Sequence, residues 1–296
     1  MDLNGFLLRH DALFSAKKVT YDRYFREPFV LSKINNQKKV RYDQIRSSNP
    51  QSVEVCFLNF KMSLDMHETH DVKFFELSKQ GELYEPDVTH LISNTLKKGM
   101  TFVDIGANNG YYSLLASKLI GSGKVYAFEP STNGFTRLEQ NIKLNKAKNI
   151  KAHKCALGAT NGSGVLGLSN VEDGLNSMVT SASAPEKYEQ VEIQRLDNAV
   201  TGKVDLIKID TEGYEKEVLI GAMGVLDRNK DVKIVMEYNH DEIYAKDKDY
   251  DGAINILLGK GFTIREILGV DRIGTKPIRS HKDLSRMLIN LYCYRA

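Results

Sequence analysis

Asp104-Ile105-Gly106-Ala107-Asn108-Asn109-Gly110 joins a short apolar run, Thr101–Ile105, to a segment in which Leu114, Leu115, Leu119 and Ile120 recur at helical spacing. A strand, a glycine-bearing loop and a helix in that order place a ligand outside the carboxyl end of the strand. Gly106 lets the backbone approach that ligand, and Gly110 lets the helix start pack closely, with Ala107 and Asn108 in the loop between them. The dinucleotide fingerprint G-x-G-x-x-G is missing, because residues 108 and 109 are both Asn. Asp104 puts an acid inside the motif. A carboxylate repels a pyrophosphate and attracts an ammonium group, so this loop suits a cationic ligand.

The chain around the loop alternates strand and helix. Lys124–Phe128 reads as a second strand, followed by a helix that Ser131 can cap and whose Phe135, Leu138 and Ile142 share a face. Ile150–His153 is a third strand. Val204–Ile209 is a fourth, apolar enough to lie centrally in a parallel sheet. Val218, Leu219, Ala222, Val225 and Leu226 mark the helix after it, Lys233–Glu237 is a fifth strand, and a helix follows that stops at Gly259. Thr263–Leu268 and Arg286–Tyr294 have no helix between them and are expected to pair antiparallel. Right-handed crossovers then give a doubly wound α/β sheet of seven strands, six parallel and one reversed. Residues 159–200, rich in Gly, Ser and Asn, read as an insertion at the carboxyl edge of the third strand. Residues 1–95 lack this alternation. They are expected as an α+β extension that caps the strand ends and supplies part of an acceptor pocket, ahead of a main domain over 96–296.

The second acid at a strand end is Glu129, in Phe128-Glu129-Pro130. Its carboxylate can accept from two vicinal ribose hydroxyls, and Pro130 fixes the turn that presents it. A ribose with a cationic amino-acid tail describes S-adenosylmethionine, which is the expected cofactor.

Composition excludes much else. With 42% hydrophobic and 27% charged residues the 296-residue chain is ordinary globular protein, not disordered or collagenous. No apolar run is long enough for a membrane span, and Arg9, His10 and Asp11 interrupt what would otherwise resemble a secretory signal. Cys56, Cys155 and Cys293 are too scattered for a metal site and fit reduced thiols, so a cytoplasmic location is expected. A net charge of +3 and a loose basic cluster at Lys38, Lys39, Arg41 and Arg46 make a weak case for nucleic acid. His67-Glu68-Thr69-His70-Asp71 lacks the H-E-x-x-H spacing of a zinc site and reads as a polar turn.

Asp104 to Gly110, Phe128-Glu129-Pro130, Ala156-Leu157-Gly158, Leu196-Asp197, and the run from Val204 through Asp210-Thr211-Glu212-Gly213-Tyr214-Glu215 to Gly221 together resemble the FkbM-type family of S-adenosylmethionine-dependent methyltransferases. Tyr84-Glu85-Pro86 resembles that family too, and the likeness covers about 82–240. The resemblance implies a class I, Rossmann-like methyltransferase fold and O-methylation of sugars or other small hydroxyl-bearing molecules. It adds Glu85 and Ala156 to the cofactor-binding candidates Asp104, Gly106, Ala107, Asn108, Gly110, Glu129, Pro130 and Asp210.

Methylating a hydroxyl requires a group to take its proton. Asp210 at the end of the fourth strand is the first candidate and His240 the second, while Glu237 and Glu212 would orient substrate or base. The family's fifth-strand His falls one place later here, at His240 in Glu237-Tyr238-Asn239-His240. Strand alternation sets Lys208 on the face of Asp210, where it needs an acidic partner: Asp104, Glu129 or Glu237. Asp210, Glu237 and Asn239 could alternatively hold Mg²⁺, though no resident metal is expected. Gly269–Lys282 carries Arg272, Lys276, Arg279 and Lys282 against Asp271, which suits an acceptor with an anionic handle. Two rivals remain. An RNA methyltransferase is one, although the N/D-P-P-Y/F motif is absent; a non-catalytic S-adenosylmethionine binder is the other.

Overall fold

The computed structural model describes residues 39–168, 177–178, 187–246 and 248–295. Lys38 and the interrupted amino-terminal apolar patches lie outside the described residues. The chain divides into two compact units, one ending at Tyr84 and one beginning at Glu85. Helix Pro86–Thr95, assigned from the sequence to the extension, falls in the larger unit.

In the smaller unit residues 39–47 are helical, β1 (Ser52–Phe57) pairs antiparallel with β2 (Phe60–Asp65), and α1 (Thr69–Gln80) follows. The hairpin alternates, so Val55, Phe57, Phe60, Met62 and Leu64 are buried. Phe74 of α1 meets Phe57 edge-on at 5.6 Å and stacks on Tyr84 at 4.6 Å. The expected polar turn at 67–71 gives way at Thr69 to α1, where His70 and Asp71 are buried and His70 lies 3.4 Å from the Tyr84 hydroxyl.

In the larger unit α2 (Pro86–Thr95) leads into β3 (Thr101–Ile105), α3 (Tyr111–Ile120), β4 (Lys124–Phe128), α4 (Thr132–Leu144) and β5 (Ile150–His153). After an intervening segment come α5 (Leu196–Ala199), β10 (Leu206–Ile209), α6 (Glu215–Gly221), α7 (Met223–Arg228), β11 (Lys233–Asn239), α8 (His240–Lys246) and α9 (Gly252–Gly259). The chain ends with β12 (Thr263–Gly269), β13 (Arg272–Ile273) and β14 (Leu288–Tyr294). The main sheet has the order β13-β12-β14-β11-β10-β3-β4-β5, parallel from β11 to β5 and reversed at β14. This is the expected doubly wound, Rossmann-like arrangement of seven strands, with the two-residue β13 added at one edge. All four residues of β10 are buried, as a strand covered on both faces requires. No helix of the described residues is long and apolar enough to cross a membrane.

Two expectations change. The helix anticipated over 218–226 is two helices, because Ala222 leaves helical geometry at φ −106°, ψ 3°. At that break a Cβ on Gly221 would stand 2.0 Å from the Gly158 carbonyl oxygen, so only glycine fits there. The segment read as an insertion after the third strand carries a sheet that the sequence did not indicate: β6 (Ala156–Leu157), β7 (Gly162–Leu168), β8 (Ser177–Met178) and β9 (Lys187–Gln194) pair in the order β6-β9-β7-β8. Ala156, Leu166, Met178 and Val191 make its core.

Candidate active site

The loop after β3 is sewn to β4, since the amides of Gly106 and Ala107 both donate to the Phe128 carbonyl at 3.0 Å. Gly106 has φ 80°, and a Cβ there would lie 1.9 Å from the Asp210 carbonyl oxygen; the loop and the end of β10 approach as closely as backbone allows. Asn108 takes φ 47°, which turns its amide onto Glu129 Oε2 at 2.9 Å. The Asn109 carbonyl accepts from Asn141 Nδ2 at 2.8 Å, tying the loop to α4. Gly110 caps α3 at φ 91°.

Both oxygens of Glu129 are engaged: Oε1 accepts from the Ser131 amide at 2.9 Å and the Ser131 hydroxyl at 2.6 Å. Burial pushes this carboxyl up, and the Ser131 and Asn108 hydrogen bonds oppose that. Asp104, 1% exposed, accepts from Ser113 Oγ at 2.6 Å through Oδ2, while its buried Oδ1 has no hydrogen-bond partner among the described residues. Burial raises its pKa against the pull of Lys208. Glu85 stands at the start of α2 with φ 39° and accepts from the Tyr112 hydroxyl at 2.7 Å. Ala156 is buried beside Gly158 at the foot of the second sheet, and Pro130 follows Glu129 into the turn.

Lys208 is the cation facing Asp104 and Asp210, while Arg137 donates to Asn108 Oδ1 at 3.1 Å beside Glu129. Register places Lys208 level with Asp104 across the β3–β10 pair. Its Nζ donates to Asp210 Oδ2 at 2.8 Å and lies 4.9 Å from the Tyr112 ring centroid. Burial alone would lower its pKa, but Asp210, Asp104 and Glu85 together hold it above the ordinary lysine value. The partner is thus Asp210 on its own strand, with Asp104 facing it. Three carboxylates gather around one ammonium group. That surplus of negative charge and the unpaired Asp104 Oδ1 fit a cationic nucleoside, with Asp104, Glu129, Glu85, Asp210 and the 106–110 loop as the residues that would hold it.

Next to this pair is a second group of acids. Asp210, Glu212 and Glu237 each bring a carboxylate oxygen within 4.8 Å of the others. Burial, then the neighbouring Asp210, Glu85 and Glu212 charges, raise Glu237 well above an ordinary glutamate, and it is hydrogen bonded to Asp210. Burial and the charges of Asp210 and Glu242 push Glu212 up to about 8. Glu215 builds the turn that presents Glu212: its Oε1 accepts from the Thr211 amide, the Thr211 hydroxyl and the Gly213 amide, at 3.2, 2.9 and 3.1 Å. Glu212 is held in this turn at φ 48°. Asn239 donates its Nδ2 to Glu212 Oε2 at 3.1 Å, and its Oδ1, the atom a metal would need, accepts from the Glu242 amide at 3.4 Å. Three hard oxygens could take Mg²⁺. Burial and the mutual repulsion of these acids raise both Glu237 and Glu212, so the group takes up protons more readily than solvated carboxylates do.

The structure therefore brings Asp210 and Glu237 together and gives His240 other company. The His240 ring stacks on Tyr250 at 4.4 Å and 12°, and Tyr250 lies 5.1 Å from His281, which Asp251 holds through Nδ1 at 3.0 Å. Tyr112, Ser113 and Glu215 were not singled out from the sequence. The signal available was position: the first two open the helix after the cofactor loop, and the third opens the helix after Asp210.

The family described as the methyltransferase FkbM domain matches residues 104–264. Among curated proteins, the chain is 28% identical over 186 residues to "Methyltransferase 1" of Beauveria bassiana (strain ARSEF 2860), covering 55% of this chain and 72% of that one. It is 30% identical over 169 residues to "Methyltransferase sdnD" of Sordaria araneosa, covering 46% of this chain and 63% of that one. Among solved structures, methyltransferase FkbM from Methylobacillus flagellatus KT aligns with a TM-score of 0.46 and 18% identity, over 67% of this chain and 44% of that chain.

Proposed function

Because the chain belongs to the FkbM methyltransferase domain family, we propose that it is an O-methyltransferase that uses S-adenosylmethionine to methylate a hydroxyl of a sugar, a glycan or a comparable small molecule. The cofactor supplies an electrophilic methyl group on a sulfonium. Asp104, Glu85 and Glu129 bind and orient its two ends, and Gly106 lets the loop close against the end of β10. The acceptor hydroxyl gives its proton to Asp210 as its oxygen takes the methyl group; the carbon–sulfur bond breaks, the neutral thioether S-adenosylhomocysteine leaves, and Asp210 then passes the proton to solvent. Lys208 holds the Asp210 carboxylate through one oxygen, and Glu237, raised well above an ordinary glutamate, is hydrogen bonded to the same group and fixes its orientation. The supporting observation is the placement of Asp210: it touches the cofactor loop through its carbonyl, Lys208 through one carboxylate oxygen, and Glu237 through a hydrogen bond. Cys56, Cys155 and Cys293 are free thiols, which supports a reducing, cytoplasm-like compartment.

Radiolabelled methyl transfer to a panel of glycans, sugar nucleotides and glycolipids tests this reading. A hydroxyl-bearing acceptor is expected to take label, and Asp210→Asn is expected to lower kcat by about a hundredfold or more. Label appearing only in RNA would sink the small-hydroxyl assignment, and an Asp210→Asn enzyme with full kcat would remove Asp210 from the proton step.

A further inference from the structure

Met287 and Leu288 are consecutive, and each is 55% exposed. Among the described residues only Val40 and Tyr188 are comparably exposed large apolar side chains, and neither has such a neighbour. The pair opens β14. Leu288 stands opposite Asn239 in the β11–β14 register, and the Met287 carbonyl accepts from the His240 amide at 2.8 Å. This is the carboxyl edge of the parallel strands, beside the acid group but outside it.

The chain leading to the pair is strongly basic. Arg272, Lys276, Arg279, Lys282 and Arg286 are all exposed. The acids of this segment are Asp271, which accepts from Asn94 Nδ2 at 2.9 Å, and Asp283, whose carboxylate is engaged by Lys276 at 2.8 Å and by the amides of Arg279 and Ser280. The segment is also firmly held. Ile278 is buried and its amide donates to the Ile264 carbonyl at 2.9 Å, Ser280 and Asp283 form a capping box around residues 281–283, and Asp251 accepts from the His281 amide at 2.6 Å. A pinned loop therefore carries five exposed cations in the 15 residues that lead into two exposed apolar side chains.

We propose that this edge docks on an anionic lipid surface, with the five cations at the level of the phosphate groups and Met287 and Leu288 entering the acyl boundary. The charges alone would also suit a polyanion such as RNA, but RNA offers phosphates and leaves the aliphatic pair in water. A bilayer of anionic headgroups over hydrocarbon satisfies both halves of the patch. Docking there would bring the β10–β11 end of the sheet to headgroup level, so the acceptor would be a hydroxyl on a lipid-anchored molecule. That last step rests on the methyl-transfer reading; the docking itself does not.

The test is flotation of the full chain with vesicles of phosphatidylcholine alone and of phosphatidylcholine with phosphatidylglycerol, read without any substrate. Binding is expected on the anionic vesicles only, weakened about tenfold or more by Arg279→Glu with Arg286→Glu, and likewise by Met287→Ser with Leu288→Ser. Both double variants should keep the wild-type melting temperature and S-adenosylhomocysteine affinity, which separates loss of docking from loss of fold. Equal partitioning onto both vesicle types, wild-type binding by the Met287→Ser/Leu288→Ser protein, or salt-sensitive binding to RNA with the vesicles ignored would each overturn the proposal. Anionic-vesicle binding without methyl transfer to any lipid-linked acceptor would leave docking standing and count against the acceptor alone.

Discussion

A lysine ammonium in the middle of a central strand is tolerated only when charge surrounds it, and Lys208 has Asp210 at 2.8 Å with Asp104 level across the sheet. Lys208→Met would leave the buried Asp104 and the half-buried Asp210 without their cation. The expected cost is about 3 kcal/mol in chemical denaturation, with part of it recovered in Lys208→Met/Asp210→Asn; a single variant as stable as wild type would show the pair to be idle. Glu129 poses a different question, because its oxygens already serve Asn108 and Ser131. Glu129→Ala should weaken S-adenosylmethionine binding about tenfold by calorimetry while circular dichroism stays unchanged, and undiminished affinity would refute the ribose role. The need for an acidic partner at Lys208 was legible from its position in an apolar strand. Its actual partner was not, since strand alternation reports the face a side chain takes but not how a flexible lysine bends along its own strand.

Strands and helices carried most of the readable information. The Asp104–Gly110 loop and the apolar runs of β3, β4, β10 and β11 stand out because parallel strands covered on both faces must be apolar throughout. The second sheet stayed hidden because glycines at 162, 164 and 167 and the largely solvated β7 carry neither a helical nor a clean two-residue period. Turns were the least readable, and the one after β10 has a measurable consequence. Glu212 is pushed up to about 8, against an ordinary glutamate value of 4.5, so the folded protein binds a proton there that the unfolded chain gives up. The stability this represents is complete at acid pH and is lost as pH rises through about 8; the raised Glu237 adds in the same direction. Melting temperature should therefore fall on going from neutral to mildly alkaline buffer, and Glu212→Gln should flatten that slope. A melting temperature that climbs over the same interval would contradict the burial of Glu212.

Across the whole chain, ligand linkage offers a test that needs no acceptor. S-adenosylhomocysteine at about a hundredfold its Kd should stabilise the fold by about 2.7 kcal/mol, a rise of several degrees in melting temperature, whereas NADH should give none; the reverse pattern would return the loop to dinucleotide chemistry. The order of the main sheet has one more implication. β14 lies between β11 and β12, both of which precede it in the chain. During synthesis each of those two strands keeps an unsatisfied edge until the segment carrying β14 has emerged and can pair between them. A nascent chain paused before Leu288 would hold two open strand edges, which makes that interval the one in which chaperones have most to protect.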